Sequence, residues 1–137
     1  MRAVLDPNVL ISALLSRNGT PARVLRSWLD GAFELIVSDR LLAELERALS
    51  YPKLRSRVEP SEAIELVELL RRGARMRDDP DDPSSVRSPD PEDDYLIAVA
   101  ESAQAVLVSG DRDLLGLAGQ VPVFSPAGFL DDLDRQA

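Results

Sequence analysis

Short apolar runs that each end at a polar, helix-initiating residue constrain the fold of this 137-residue chain more than any other feature. Residues 3–5, 33–37 and 105–108 are such runs, and each is followed by a segment whose apolar residues have helical spacing. Strands that alternate with helices are typical of a parallel sheet with helices packed on both faces. We therefore predict an α/β fold with a parallel central sheet, in a single domain spanning residues 1–137.

Several helix boundaries are predicted from local signals. Pro7 favours a helix that starts directly after Asp6, and Ser38 is a typical N-cap for a helix with one apolar stripe. A later helix is predicted with Ser61 as its N-cap. Its apolar positions are Ile64, Val67 and Leu70.

Residues 76–92 form a polar, acidic stretch that contains four prolines. This composition predicts a mobile acidic loop, with room for one short strand near Val86. A strongly apolar helix is predicted after it, over residues 95–103. Residues 121–124 are predicted to be an edge strand, and a short helix is predicted around residues 129–133.

The chain contains no cysteine and no histidine, which removes several classes of chemistry. Without cysteine there is no disulfide framework, thiolate nucleophile, or cysteine-ligated zinc or iron–sulfur site. Without histidine there is no Ser-His-Asp triad and no imidazole general base. The 24 acidic residues favour Mg²⁺ or Mn²⁺ as a metal, since these hard cations prefer carboxylate and water ligands.

The formal net charge of −8 disfavours a broad nucleic-acid-binding surface. The charge is uneven, with a net +2 over residues 1–75 and a net −10 over residues 76–137. No apolar stretch approaches the roughly 20 residues that a membrane span needs, and the first residues lack the apolar core of a signal peptide. We therefore expect a cytoplasmic protein that does not enter a membrane.

Acidic side chains stand where the predicted strands end and the following helices begin. Asp6 ends the first strand, Asp111 follows the third, and Asp93 and Asp94 open the helix after the acidic loop. Glu44 lies in the helix after the second strand. Because ligands bind beyond the carboxyl ends of parallel strands, these side chains are predicted to meet at one rim. Clustered carboxylates can hold divalent cations that activate water for phosphodiester hydrolysis.

Every member of this acidic set also has a purely structural interpretation. A strand-end aspartate is most often a helix cap or turn residue, and acidic residues at a helix N-terminus stabilise the helix dipole. Glu44 and Glu46 flank an apolar stripe on opposite sides, so periodicity leaves open which of them faces the site. In the later helix, periodicity places Asp93, and not Asp94, over the apolar stripe.

Four short motifs, taken in order, are similar to those of a known family. They are Asp6-x-Asn8, Leu41-Leu42-x-Glu44-Leu45, Asp90-Pro91-Glu92-Asp93-Asp94-Tyr95-Leu96-Ile97-Ala98 and Val108-Ser109-Gly110-Asp111-Arg112-Asp113-Leu114-Leu115. In this order they resemble the PIN-domain ribonucleases, and more narrowly the VapC-like toxin components of bacterial toxin–antitoxin pairs. The resemblance spans nearly the whole chain.

This resemblance implies a PIN-like fold and an Mg²⁺- or Mn²⁺-dependent endoribonuclease that hydrolyses RNA phosphodiester bonds. The catalytic and metal-binding positions of the family match Asp6, Glu44, Asp94 and Asp111. Its supporting positions match Asn8, Ser109, Asp113 and Asp93. The resemblance also implies a homodimer and a cognate antitoxin protein that blocks the site.

The alternative function is a catalytically idle PIN-like module that binds a protein partner or RNA without cleaving it. The acidic set favours the enzyme, whereas the scarcity of basic residues in the second half of the chain favours the binding module. Phosphate contacts would then draw on basic residues of the first half. The candidates are Lys53, Arg55, Arg57, Arg71, Arg72 and Arg75.

Overall fold

Five strands form one parallel sheet within residues 1–136, the part of the chain that the computed structural model describes. The strands are β1 (Arg2–Leu5), β2 (Glu34–Val37), β3 (Arg75–Met76), β4 (Val106–Val108) and β5 (Val123–Phe124). Their spatial order is β3-β2-β1-β4-β5, and every neighbouring pair is parallel. The predicted α/β fold with a parallel central sheet is confirmed.

Helices connect the strands in the predicted alternation. The helices between β1 and β2 are α1 (Pro7–Leu15) and α2 (Thr20–Leu29). Those between β2 and β3 are α3 (Asp39–Leu49), α4 (Pro52–Arg55) and α5 (Pro60–Gly73). The later elements are a 3₁₀ turn (Pro91–Asp93), α6 (Asp94–Ala103), α7 (Arg112–Leu115) and α8 (Pro126–Gln136). None of the helices in residues 1–136 is both long and apolar enough to span a membrane.

The helices cover both faces of the sheet. On one face, α1 packs against α2 and α3, and α2 also contacts α8. On the other face, α6 packs against β1 and β4, because right-handed crossovers move α6 to the opposite side once the strand order reverses. Ala3, Val4 and Leu5 of β1 are consequently buried, as expected for a central parallel strand covered on both faces.

The last helix is fastened to the domain by an aromatic pair. Phe129 of α8 is fully buried, and its ring meets that of Phe33 edge to face with centroids 4.9 Å apart. Aromatic pairs in this geometry contribute about 0.5–1.5 kcal/mol beyond the burial of their surface. The helix predicted around residues 129–133 is therefore confirmed, and it extends over Pro126–Gln136.

The helix predicted with Ser61 as its N-cap has Glu59 at that position and begins at Pro60, two residues earlier than predicted. Its inner face also differs from the prediction, since Leu66 and Leu70 are buried whereas Ile64 is 59% exposed. Leu66 and Leu70 lie one turn apart, and Ile64 lies about 200° around the helix from Leu66. The prediction that Ile64 belongs to the buried stripe is wrong, because the packing of α5 on α3 selects a different face.

The short strand predicted near Val86 is also wrong, since residues 77–90 contain neither helix nor strand. The third strand lies just before this segment, where Met76 pairs with Val37. Prolines within 77–90 lack the amide donor that a strand needs. The short helix α4 was not predicted, although Pro52 at its first position is a favourable residue for a helix start.

Candidate metal and catalytic site

The strand order reverses between β1 and β4, and this creates a crevice at the edge of the sheet. Successive connections lead from β1 to β2 and β3 on one side, and then to β4 and β5 on the other. In open α/β sheets, ligands bind beyond the carboxyl ends of the strands at such a reversal. Leu5 pairs with Val108 at these ends. The residues that follow them, Asp6 and Ser109, therefore border the crevice.

Asp6 is fixed at the base of the crevice and is only 5% exposed. Its Oδ1 accepts a hydrogen bond from the amide of Asn8 at 3.0 Å, and its Oδ2 accepts one from the hydroxyl of Ser109 at 2.8 Å. Burial raises the pKa of Asp6, and these two hydrogen bonds partly oppose that shift. The negative charge of Asp111 raises the pKa further. Asp6 is thus oriented by two donors and placed close to a second carboxyl.

Asp111 is presented by the turn that connects β4 to α7. Its amide donates to Ser109 Oγ at 3.0 Å, so one hydroxyl links this turn to Asp6. Its Oδ1 accepts a hydrogen bond from the amide of Asp113 at 2.8 Å and thereby caps α7. The side chain of Asp113 is exposed. Asp113 therefore supports Asp111 through its backbone.

Asp93 joins Asp6 and Asp111 from the other side of the crevice. Partial burial raises its pKa to about 7, and the negative charges of Asp111, Asp6 and Asp90 raise it further. Asp93 Oδ2 is buried and has no hydrogen-bond partner within residues 1–136. A cation or a proton would stabilise this arrangement.

Asp94 has a different environment from its neighbour Asp93. Its Oδ1 accepts a hydrogen bond from the amide of Ser88 at 2.6 Å, and its Oδ2 lies 3.3 Å from Nη1 of Arg87. Both partners belong to the segment 77–90. The structure therefore groups Asp93, and not Asp94, with the other strand-end carboxyls, on the side that the periodicity of α6 indicates.

Glu44 approaches the crevice from α3, beside Tyr95. Burial raises the pKa of the Tyr95 hydroxyl, and the negative charge of Glu44 raises it further. Glu44 is half-buried and forms an ion pair with Arg47. Glu46 instead pairs with Arg71 of α5 at 3.0 Å. Of the two glutamates that periodicity left open, Glu44 is the one at the rim.

The backbone amide of Asn8 donates a hydrogen bond to Asp6, and Asn8 is an exposed residue. It lines a groove of about 340 Å³ with Ser12, Gly110 and Asp111.

Two residues of the crevice were not predicted from the sequence. Tyr95 lies within the motif of residues 90–98, where no role was assigned to it. The guanidinium of Arg40 lies over the ring of Tyr95. The only sequence signal for Arg40 is its position three residues after Val37, the end of β2.

The donor set fits a hard divalent cation. Its ligating atoms are carboxylate oxygens, Asp93 Oδ2 lacks a partner among residues 1–136, and mutual repulsion contributes to the raised pKa values of Asp93 and Asp6. In the same part of the chain, no group of three or more acidic side chains is arranged to hold a metal ion as it stands.

A family model for the PIN domain matches residues 2–113, which include all of these acidic positions. The chain belongs to the PIN domain family. PIN domains are generally nucleases, and PIN nucleases generally use divalent metals. Membership therefore indicates a nuclease-type function.

Two known proteins illustrate the range of relatives of this PIN domain. An uncharacterized protein of Methanocaldococcus jannaschii is 28% identical over 145 residues, which cover 98% of this chain and 93% of that protein. The structure of a PilT N-terminus domain protein from Sulfolobus solfataricus P2 matches with a TM-score of 0.50 and 16% identity, covering 97% of this chain and 93% of that one. The second similarity supports the fold. Both relatives are archaeal, and the narrower VapC-like assignment is not confirmed.

Proposed function

We propose that this PIN domain is a metal-dependent endoribonuclease that hydrolyses RNA phosphodiester bonds. The observation that carries the proposal is the buried, unpartnered Oδ2 of Asp93 beside Asp6 and Asp111, within residues 1–136. Family membership supplies the general chemistry. Because the sequence has no histidine or cysteine, carboxylates are the side chains with which this chain would bind a catalytic cation.

Asp6, Asp93 and Asp111 are the residues that would hold Mg²⁺ or Mn²⁺, with Glu44 at their flank. When bound, the cation would supply an activated water and neutralise charge on the phosphate. The chain's own residues orient the ligands. Ser109 holds Asp6 and the turn of Asp111 through a single hydroxyl, so the two carboxyls keep their relative positions.

Asp94 has a supporting role in this proposal. Its two oxygens contact Ser88 and Arg87, so it anchors the segment 77–90 at the start of α6. This anchoring positions the turn that carries Asp93. The resemblance matched Asp94 to a metal position, and we assign that position to Asp93 because its oxygen lacks a partner among the described residues.

An RNA cleavage assay with a matched pair of variants tests this proposal. A labelled single-stranded RNA is incubated with metal-stripped protein in Mg²⁺, in Mn²⁺ and in EDTA. We expect cleavage with either metal and none in EDTA. Asp93→Asn should lower the rate by about 100-fold or more, whereas Asp94→Asn, the same change one residue away, should retain most of it. Full activity in EDTA, or equal rates for the two variants, would contradict the proposal.

We further propose that the nuclease is the toxin of a toxin–antitoxin pair and forms a homodimer. The support is the resemblance of the ordered motifs to VapC-like toxins. Induced expression in a bacterial host should arrest growth, and Asp93→Asn should relieve the arrest. Co-expression of a small protein encoded beside the gene should also restore growth. Light scattering should give twice the 15.0 kDa chain mass. Normal growth on expression of the parent would remove the toxin role.

A further inference from the structure

Arg40 stands over the ring of Tyr95 at the edge of the crevice. Its Cζ lies 4.4 Å from the ring centroid, within the range of a cation–π contact. Beneath it, the Tyr95 hydroxyl is near enough to Glu44, Asp6 and Asp93 for their charges to act on it. A positive charge is thus held one aromatic ring away from the carboxyls that we propose as metal ligands.

The guanidinium of Arg40 has no ion-pair or hydrogen-bond partner within residues 1–136. What fixes this residue is its backbone, since Asp79 Oδ2 accepts a hydrogen bond from the Arg40 amide at 3.0 Å. Six other arginines of the described chain do form ion pairs with acidic side chains. They are Arg2, Arg17, Arg47, Arg71, Arg75 and Arg87.

Arg40 also lines a groove of about 310 Å³ beside the crevice, together with Arg87. Asp79, Asp81 and Asp82 line the same groove, so it is not a basic surface of the kind that binds nucleic acid without selectivity. In a chain with a net charge of −8, an RNA strand that reaches the carboxylates therefore depends on individual basic side chains. The planar guanidinium suits this task, because it can form two parallel hydrogen bonds to phosphate oxygens.

We propose that Arg40 contacts a backbone phosphate of RNA next to the acidic crevice, with Tyr95 holding the guanidinium in place. This inference rests on the proposed nuclease function, because it describes how the strand passes the carboxylates. Stacking on Tyr95 limits the motion of the side chain before RNA binds, so less conformational entropy is lost on binding. A phosphate contact strengthens binding irrespective of base sequence and adds to its salt dependence.

The test measures RNA binding by fluorescence anisotropy over a series of KCl concentrations. All proteins carry Asp93→Asn, which removes one negative charge and leaves the RNA uncleaved during the measurement. Adding Arg40→Gln should raise the Kd for single-stranded RNA by about 3–10-fold and reduce the slope of log K against log salt by about 0.7. Arg40→Lys should keep most of the slope, because the charge remains. The matched control is Arg135→Gln, an exposed arginine near the end of α8, which should change the Kd by less than about 2-fold.

Equal Kd values and equal slopes for Arg40→Gln and Arg135→Gln would overturn the inference, and they would leave cleavage by the parent protein unaffected. A failure of the parent to cleave RNA, together with the expected shift for Arg40→Gln, would instead remove the nuclease and leave the phosphate contact standing. Melting curves for each variant report whether it is folded. The two proposals can therefore fail separately.

Discussion

The hydroxyl of Ser109 donates a hydrogen bond to Asp6 Oδ2 at 2.8 Å and so joins two strand ends that lie 103 residues apart in the sequence. Both residues are buried. The same hydroxyl accepts the amide of Asp111 at 3.0 Å. The relative position of two proposed metal ligands therefore depends on one small side chain.

Replacement of Ser109 by alanine should destabilise the metal-free protein. The change leaves the buried Asp6 carboxylate without one of its donors, so the free energy of unfolding should fall by about 1–3 kcal/mol. Urea denaturation at pH 7 measures it. The control is Ser27→Ala, whose hydroxyl bonds the Arg23 carbonyl on an exposed helix surface, with an expected loss below about 0.5 kcal/mol. Similar losses for both variants would show that the hydrogen bond between Ser109 and Asp6 contributes little.

The stability of the metal-free protein should depend on pH through Asp93. Its folded-state pKa of about 7 lies above the ordinary value of 3.8, so the folded protein holds this proton more tightly than the unfolded chain does. The contribution of protonated Asp93 to the free energy of unfolding is fully present below about pH 4 and is lost as the pH rises to about 7. In EDTA, Asp93→Asn should therefore melt higher than the parent at pH 8, with the difference shrinking towards pH 4. A difference in melting temperature between Asp93→Asn and the parent that does not vary with pH would contradict the raised pKa of Asp93.

Mg²⁺ should raise the melting temperature of the parent protein. A ligand that binds only the folded state adds about 1.4 kcal/mol of stability at ten times its dissociation constant. This gain should be lost in Asp93→Asn and retained in Asp94→Asn, because Asp93 has a buried oxygen without a hydrogen-bond partner among the described residues, whereas both oxygens of Asp94 have partners. Thermal melts over a series of Mg²⁺ concentrations measure it. Loss of the gain in Asp94→Asn alone would return the metal position to Asp94.

Amide exchange should be faster in residues 77–90 than at Val4 and Leu107 of the central strands. Apart from the Arg77 amide, which donates to the Val37 carbonyl at 2.8 Å, this segment has no hydrogen bond to a neighbouring strand among residues 1–136, and the predicted mobility of the acidic loop depends on that lack. The amide of Ser88 should exchange more slowly than its neighbours, since it donates to Asp94 at 2.6 Å. NMR-detected exchange should show that Asp94→Ala accelerates Ser88, whereas Asp93→Ala does not. Uniformly slow exchange across the segment would refute the predicted mobility.

Much of the fold was accessible from local sequence signals. The apolar run that ends at Asp6-Pro7 predicted both β1 and the start of α1, and Ser38 predicted the start of α3. The buried face of α5 was not predictable, because Ile64 and Leu66 are both apolar and only contact with α3 selects between them. The location of β3 likewise depended on pairing with β2, since a two-residue strand has no periodicity of its own.

The sequence by itself determined the chemistry of the site, because a chain without histidine or cysteine has only oxygen ligands for a metal, and Asp6 and Asp111 follow strands that share one sheet edge. Signals in the sequence conflicted on which neighbouring carboxyl joins them, since periodicity indicated Asp93 and the resemblance indicated Asp94, and the tertiary structure decided between the two. Adjacent residues on a helix point about 100° apart, so the packing of α6 against β1 and β4 directs Asp93 to the crevice and leaves Asp94 to the segment 77–90. The tertiary structure also decided the contact between Arg40 and the ring of Tyr95. These residues belong to α3 and α6, two helices that are distant in sequence and that only folding brings together.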